Sequence, residues 1–104
     1  MAEQALTPRD DNLTVGATSV ELSPETGSKQ RQALVITNYS AGGQAISLAW
    51  GKDAVVNKGV ILLSGEHHIE AIDSAFRPLN SRISVIASGA GALVAIHERL
   101  IQVF

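Results

Sequence analysis

Cysteine is absent from all 104 residues, so neither disulfides nor thiolate metal sites can reinforce the fold. Aromatic side chains are scarce: Trp50, Tyr39, Phe76 and Phe104 are the whole supply. That leaves a sugar-binding platform without support, and Trp50 ends a core-like strand face where burial is the simpler expectation. The Lys and Arg residues number 8 and are scattered, with one local concentration at Lys29-Gln30-Arg31 and a formal net charge of −2. A phosphate backbone is normally met by a clustered basic face, so no direct nucleic-acid contact is expected. No apolar run approaches the roughly 18 residues of a membrane span. The opening MAEQALTPRDDN lacks both a positive n-region and an apolar h-region, so the default expectation is folding in the cytoplasm without a signal peptide. A helical period longer than two turns is also missing; only Asp53–Lys58 and Asp73–Phe76 invite a single turn each.

What is present describes a small all-β protein. The length suits one domain, and 45% apolar residues against 17% charged give it material for a modest core. Residues 1–12 are polar apart from Met1 and Leu6, which predicts an N-terminal arm followed by a β-sandwich domain over 13–104. From Leu13 onward, short runs rich in Val, Ile, Leu and Thr are separated by Gly, Ser, Asn and Pro clusters. They predict strands at Leu13–Val15, Thr18–Leu22, Arg31–Asn38, Ala45–Trp50, Val60–Leu63, His67–Ile72, Ile83–Ser88 and Ala92–Glu98. Eight short antiparallel strands imply a β-sandwich or jelly-roll-like domain. Ile46, Leu48 and Trp50 alternate with Ala45, Ser47 and Ala49, as in a half-buried strand, whereas Ala33-Leu34-Val35-Ile36 is apolar on both faces and calls for a central place or a partner. Gly89-Ala90-Gly91 between two β-rich runs predicts a hairpin with a three-residue loop. The apolar tail Leu100, Ile101, Val103 and Phe104 predicts either a final strand or a clasp on another subunit.

The chemically densest stretch is Glu66-His67-His68-Ile69-Glu70. Side chains of a strand alternate between faces, so His67 travels with Ile69 and His68 with Glu70, and the adjacent imidazoles cannot share one ion. His68 and Glu70 can, and His97 from the last strand can join them in a three-ligand metal site. Against this stands the ordinary polar pair on a strand. The cupin metal motif, which resembles G-(x)5-H-x-H-(x)3,4-E-(x)6-G, is not met: Gly65 lies two residues before His67, and the histidines are adjacent. Ser64, His97 and Asp73 make a triad only on paper, without a nucleophile elbow. Gly42-Gly43 and Gly89-Ala90-Gly91 do not lead from a strand into a helix and read as turn glycines. No cofactor is expected.

The order of the segments LTVGATSVELSP, RQALVITNYSAGGQAISLAWG, GVILLSGEHHIE and RISVIASGAGALVAIHE resembles the small β-sandwich virion structural proteins of tailed bacteriophages, among them head decoration (cement) proteins and related head or neck components. The likeness spans residues 13–98, with Ser64 where such proteins often carry proline. It implies a non-enzymatic virion protein, made in the host cytoplasm, that binds the major capsid protein and copies of itself as a dimer or trimer. The contact residues it implies here are Leu6, Pro8 and Arg9 in the arm and Leu100, Val103 and Phe104 in the tail. A tail or baseplate module, or another binding domain, would share the fold, and a metal-dependent cupin-like enzyme remains the chemical alternative.

Overall fold

The computed structural model describes residues 4–73 and 75–103, with the side chains of residues 4–7 and 103 outside the description. The strands are β1 (Gln4–Val15), β2 (Val20–Ser23), β3 (Gln30–Asn38), β4 (Ile46–Trp50), β5 (Val60–Leu62), β6 (His67–Ala71), β7 (Ile83–Ala87) and β8 (Ala92–Val103). They form two four-stranded antiparallel sheets, sheet A in the order β1-β8-β3-β6 and sheet B in the order β2-β7-β4-β5. Every connection except β4–β5 passes from one sheet to the other. This is the arrangement of a jelly roll, in which eight strands form two packed sheets. Among the described residues there is no helix; 53–58, 73, 75 and 76 are loop and turn.

In β4 and β7 the core is what alternation predicts, and in β3 it settles which face of an all-apolar run turns inward. Leu34 and Ile36 of β3, Ile46 and Leu48 of β4, Ile83 and Val85 of β7 and Val94 of β8 are fully buried between the sheets. Each such side chain contributes about 1.5–3 kcal/mol relative to an exposed one.

Two expectations change. The Gly89-Ala90-Gly91 segment is not a hairpin loop: β7 is hydrogen-bonded to β2 and β4, and β8 to β1 and β3. Both edges of each strand are therefore taken, and the glycines turn a corner between sheets. Residues 4–12 are not an arm, because they begin β1, which pairs with β8 from Gln4↔Val103 to Val15↔Ala92. The tail follows the first of its two readings, a final strand: it continues β8 as far as Val103 and also pairs with β3, from Gln30↔Ile101 onward. Phe104 lies outside the described residues.

The two outward faces differ. Segment 51–59, which joins β4 to β5, folds over sheet B: Ala54 donates its N–H to Ser19 Oγ at 2.9 Å and Asn57 donates to Ser47 Oγ at 2.9 Å. Ser47, on the strand face opposite Ile46 and Leu48, is thereby buried. The close approach requires glycine at 59, where φ is +78° and a Cβ would sit 2.3 Å from the Leu48 carbonyl oxygen. Sheet A keeps its outward face open.

Candidate assembly surface

Register places side chains on sheet A without ambiguity, since directly opposed residues share a face. One inward row runs Arg9, Glu98, Leu34, Glu70 and the next Asp11, Ile96, Ile36, His68. The outward rows between and beside them are Pro8, Arg99, Ala33, Ala71; then Asp10, His97, Val35, Ile69; then Asn12, Ala95, Thr37, His67.

The inward rows hold the strongest electrostatics. Glu98 shares the buried face of β8 with Val94 and Ile96 and is 1% exposed, and Arg31 is 0% exposed. Glu98 Oε1 accepts from Ser23 Oγ at 2.6 Å and from Arg9 Nη2 and Nε at 2.8 and 3.0 Å, while Oε2 accepts from Arg31 Nε. The same Arg31 guanidinium donates to the carbonyls of Leu79 at 2.6 Å, Ser81 at 2.7 Å and Pro24 at 3.1 Å. Burial alone would raise the Glu98 carboxyl; hydrogen bonds from Ser23, Arg31 and Arg9, with the Arg31 charge, outweigh it and hold the group below its ordinary 4.5. The cluster ties β1, β2, β3 and β8 to segment 78–81. With both carboxylate oxygens and most donors engaged, it is a structural staple. Its sequence signal was available: Glu98 falls on the inward parity of an apolar strand.

His68 Nε2 lies 2.9 Å from Glu70 Oε2, and the imidazole meets the Trp50 ring edge-on with centroids 5.5 Å apart. Inward-pointing polar groups on an edge strand discourage sheet-to-sheet pairing. His97 is on the other face of the sheet, with Nδ1 at 2.5 Å from Asp10 Oδ1, so the structure does not bring it to His68 and Glu70. His67, also outward, meets Thr37 Oγ1 at 2.9 Å. Among the described residues no group of three or more His, Cys, Asp or Glu side chains is placed to hold a metal. The paper triad is likewise dispersed: Ser64 Oγ donates to the Ser40 carbonyl, His97 pairs with Asp10, and Asp73 Oδ1 accepts from the Ala75 and Phe76 N–H groups.

The outward face of sheet A carries a chemically coherent surface. Its centre is small and apolar, with Ala33, Val35 and Ala95 half-buried beside Ile69, which is 67% exposed. Polar groups bound it: Asp10 and His97 toward β1, Arg99 at one end, His67 and Thr37 at the other. A solvent-rimmed apolar patch of this kind is how a contact surface is built.

The expected contact residues divide. Pro8 is exposed on the outward face. Arg9 turns its guanidinium inward to Glu98 with about a third of the side chain still in solvent, whereas Leu100 is 3% exposed in the interior. The side chains of Leu6 and Val103, and all of Phe104, lie outside the described residues.

No family model matches the chain, and no curated protein matches it. Solved structures do match in fold. One is from the disulfide-linked pili of Bacillus endospore appendages, with a TM-score of 0.64 and 11% identity over 98% of this chain and 89% of that one. Another is the Tobacco streak virus coat protein dimer, with a TM-score of 0.50 and 12% identity over 93% of this chain and 84% of that one. At such identities the likeness is one of fold.

Proposed function

We propose that this chain is a non-catalytic assembly subunit of a virion, a decoration protein that binds the capsid lattice of a tailed bacteriophage and copies of itself through the outward face of sheet A. The observation that carries the reading is the asymmetry between the sheets. The chain's own segment 51–59 covers the part of sheet B around Ser47, leaving Ile61 at its edge, while sheet A presents Val35 and Ile69 within an apolar centre and a polar rim. Jelly rolls serve capsids, lectins and cupin enzymes alike, so the fold leaves the choice to the site. Here the cupin-type metal set is split across the two faces of the sheet. The fold likeness to a pilus subunit and to a dimeric coat protein supports assembly as the task; lacking cysteine, this chain would assemble by surface complementarity alone. A protein that binds a mature lattice and not its separated subunits stabilises the lattice by mass action, and multiple copies add avidity.

Sedimentation velocity of the purified chain, followed by co-sedimentation with undecorated heads, tests this. A dimer or trimer that binds heads, and a folded Ile69→Glu variant that sediments as a monomer and stays unbound, are expected. Equal behaviour of the variant and the parent would overturn the reading.

A further inference from the structure

A cavity of about 390 Å³ opens on the sheet B side of the molecule, away from the face assigned to assembly. Trp50, Val55 and Val60 give it an apolar lining, and Lys52 and Lys58 stand at its wall. Asp53, the acidic residue of the lining, has its carboxylate 3.3 Å from the Arg82 guanidinium, so it is partnered from outside the cavity. The cavity thus combines an apolar lining with two ammonium groups and one acid already engaged. Its shape is set by the covalent path of the chain: the Gly59 backbone passes so close to the Leu48 carbonyl that no side chain fits there. Clefts of roughly 300–1,000 Å³ with apolar walls and few charged groups are the ordinary form of small-ligand sites.

We infer that this cavity is a binding site for a small organic anion with an apolar body, its carboxylate or equivalent meeting Lys52 and Lys58 and its hydrocarbon or ring lying against Trp50, Val55 and Val60. The charge balance of the lining selects the anion. Lys52 and Lys58 are exposed and hydrated, so a neutral molecule of the same shape gains nothing from them, an anion gains charge-assisted contacts, and a cation is repelled. Amino groups that pair with a carboxylate form charge-assisted hydrogen bonds, stronger than neutral ones. The site is independent of the assembly role, since none of its residues lies on sheet A.

The test uses an isosteric pair of probes, naphthalene-2-carboxylate and naphthalene-2-carboxamide, titrated into the full chain with ¹⁵N-labelled backbone and indole groups. Trp50 is the sole tryptophan, so its indole N–H reports on the cavity without overlap. Saturable shifts at the Trp50 indole and the Gly59 amide are expected, with the carboxylate binding about tenfold more tightly than the carboxamide. A Lys52→Ala, Lys58→Ala double variant, changed only at exposed positions, is expected to keep its spectrum and bind both probes equally. Equal affinity of the two probes for the parent chain, shifts that map elsewhere, or unchanged selectivity in the double variant would each overturn the assignment.

Discussion

Replacing Glu98 with alanine removes the acceptor shared by Arg31, Arg9 and Ser23, and the consequence follows from where each partner sits. Arg9 is about one-third exposed and can turn into water. Arg31 is 0% exposed and cannot. Its guanidinium would keep the carbonyls of Leu79, Ser81 and Pro24 but lose the only carboxylate it touches among the described residues. Removing one member of a buried pair strands the other charge, at a cost of about 3–5 kcal/mol. A domain of this length has about 5–15 kcal/mol in total, so Glu98→Ala should unfold at far lower urea concentration with an unchanged slope. The double variant Arg31→Met, Glu98→Leu should recover part of that loss and not all, because the carbonyls of segment 78–81 would lose their donor. The pH dependence has a definite sign. The folded Glu98 carboxyl titrates below 4.5, so its stabilisation is fully present above the unfolded value and is lost as pH falls through the folded one. Glu98→Gln should therefore flatten the acid limb of the stability curve. Urea titrations from pH 7 to pH 2.5 read both effects; a Glu98→Ala loss below about 1 kcal/mol would refute the claim of a solvent-excluded pair.

Gly59→Ala should cost about 2–3 kcal/mol, since it forces a left-handed backbone on alanine and drives its Cβ into the Leu48 carbonyl; thermal unfolding checks this. Asn38 is fully buried and bonds the carbonyls of Gln44 and Leu62 and the N–H and hydroxyl of Ser40, so Asn38→Ala should lose about 2–4 kcal/mol in urea unfolding. Deleting residues 1–12 should lower the unfolding temperature by about 10 °C or more, because it strips most of β1 from β8 and removes Arg9 from the Glu98 cluster; an unchanged transition would restore the picture of a detached arm. Ile69→Glu should leave stability within about 0.5 kcal/mol, its side chain being two-thirds in solvent.

The strand pattern was legible from Leu13 onward because period-two alternation and turn residues are local signals. The inward residues Ile46, Leu48, Ile83 and Val85 could be read from parity alone, whereas β3, apolar on both faces, left the direction of Leu34 and Ile36 open. Residues 4–12 were missed because Thr7-Pro8-Arg9-Asp10-Asp11-Asn12 has no apolar face to declare a strand. Their order comes from the backbone ladder to β8, a long-range partner. The same limit explains Gly89-Ala90-Gly91: a tight turn is visible locally, whereas the choice between a hairpin and a corner depends on which strands occupy the edges of β7 and β8. Alternation placed His67 and His68 on opposite faces but said nothing of His97, whose face follows from register through β3. Arg31 and Glu98 lie 67 residues apart, so their pairing needed the fold, even though a carboxylate on the inward parity of β8 announced that a partner had to exist.

The most direct test of the open sheet face exploits the absence of native cysteine. Ile69→Cys introduces a single thiol at the centre of that face, and Leu63→Cys places a control at an exposed site off it. Maleimide labelling is timed for the chain diluted until it sediments as a monomer and for the chain bound to undecorated heads. Position 69 is predicted to react freely in the first state and to be protected in the second, with position 63 reactive in both. Equal reactivity of position 69 in the two states would contradict assembly through sheet A.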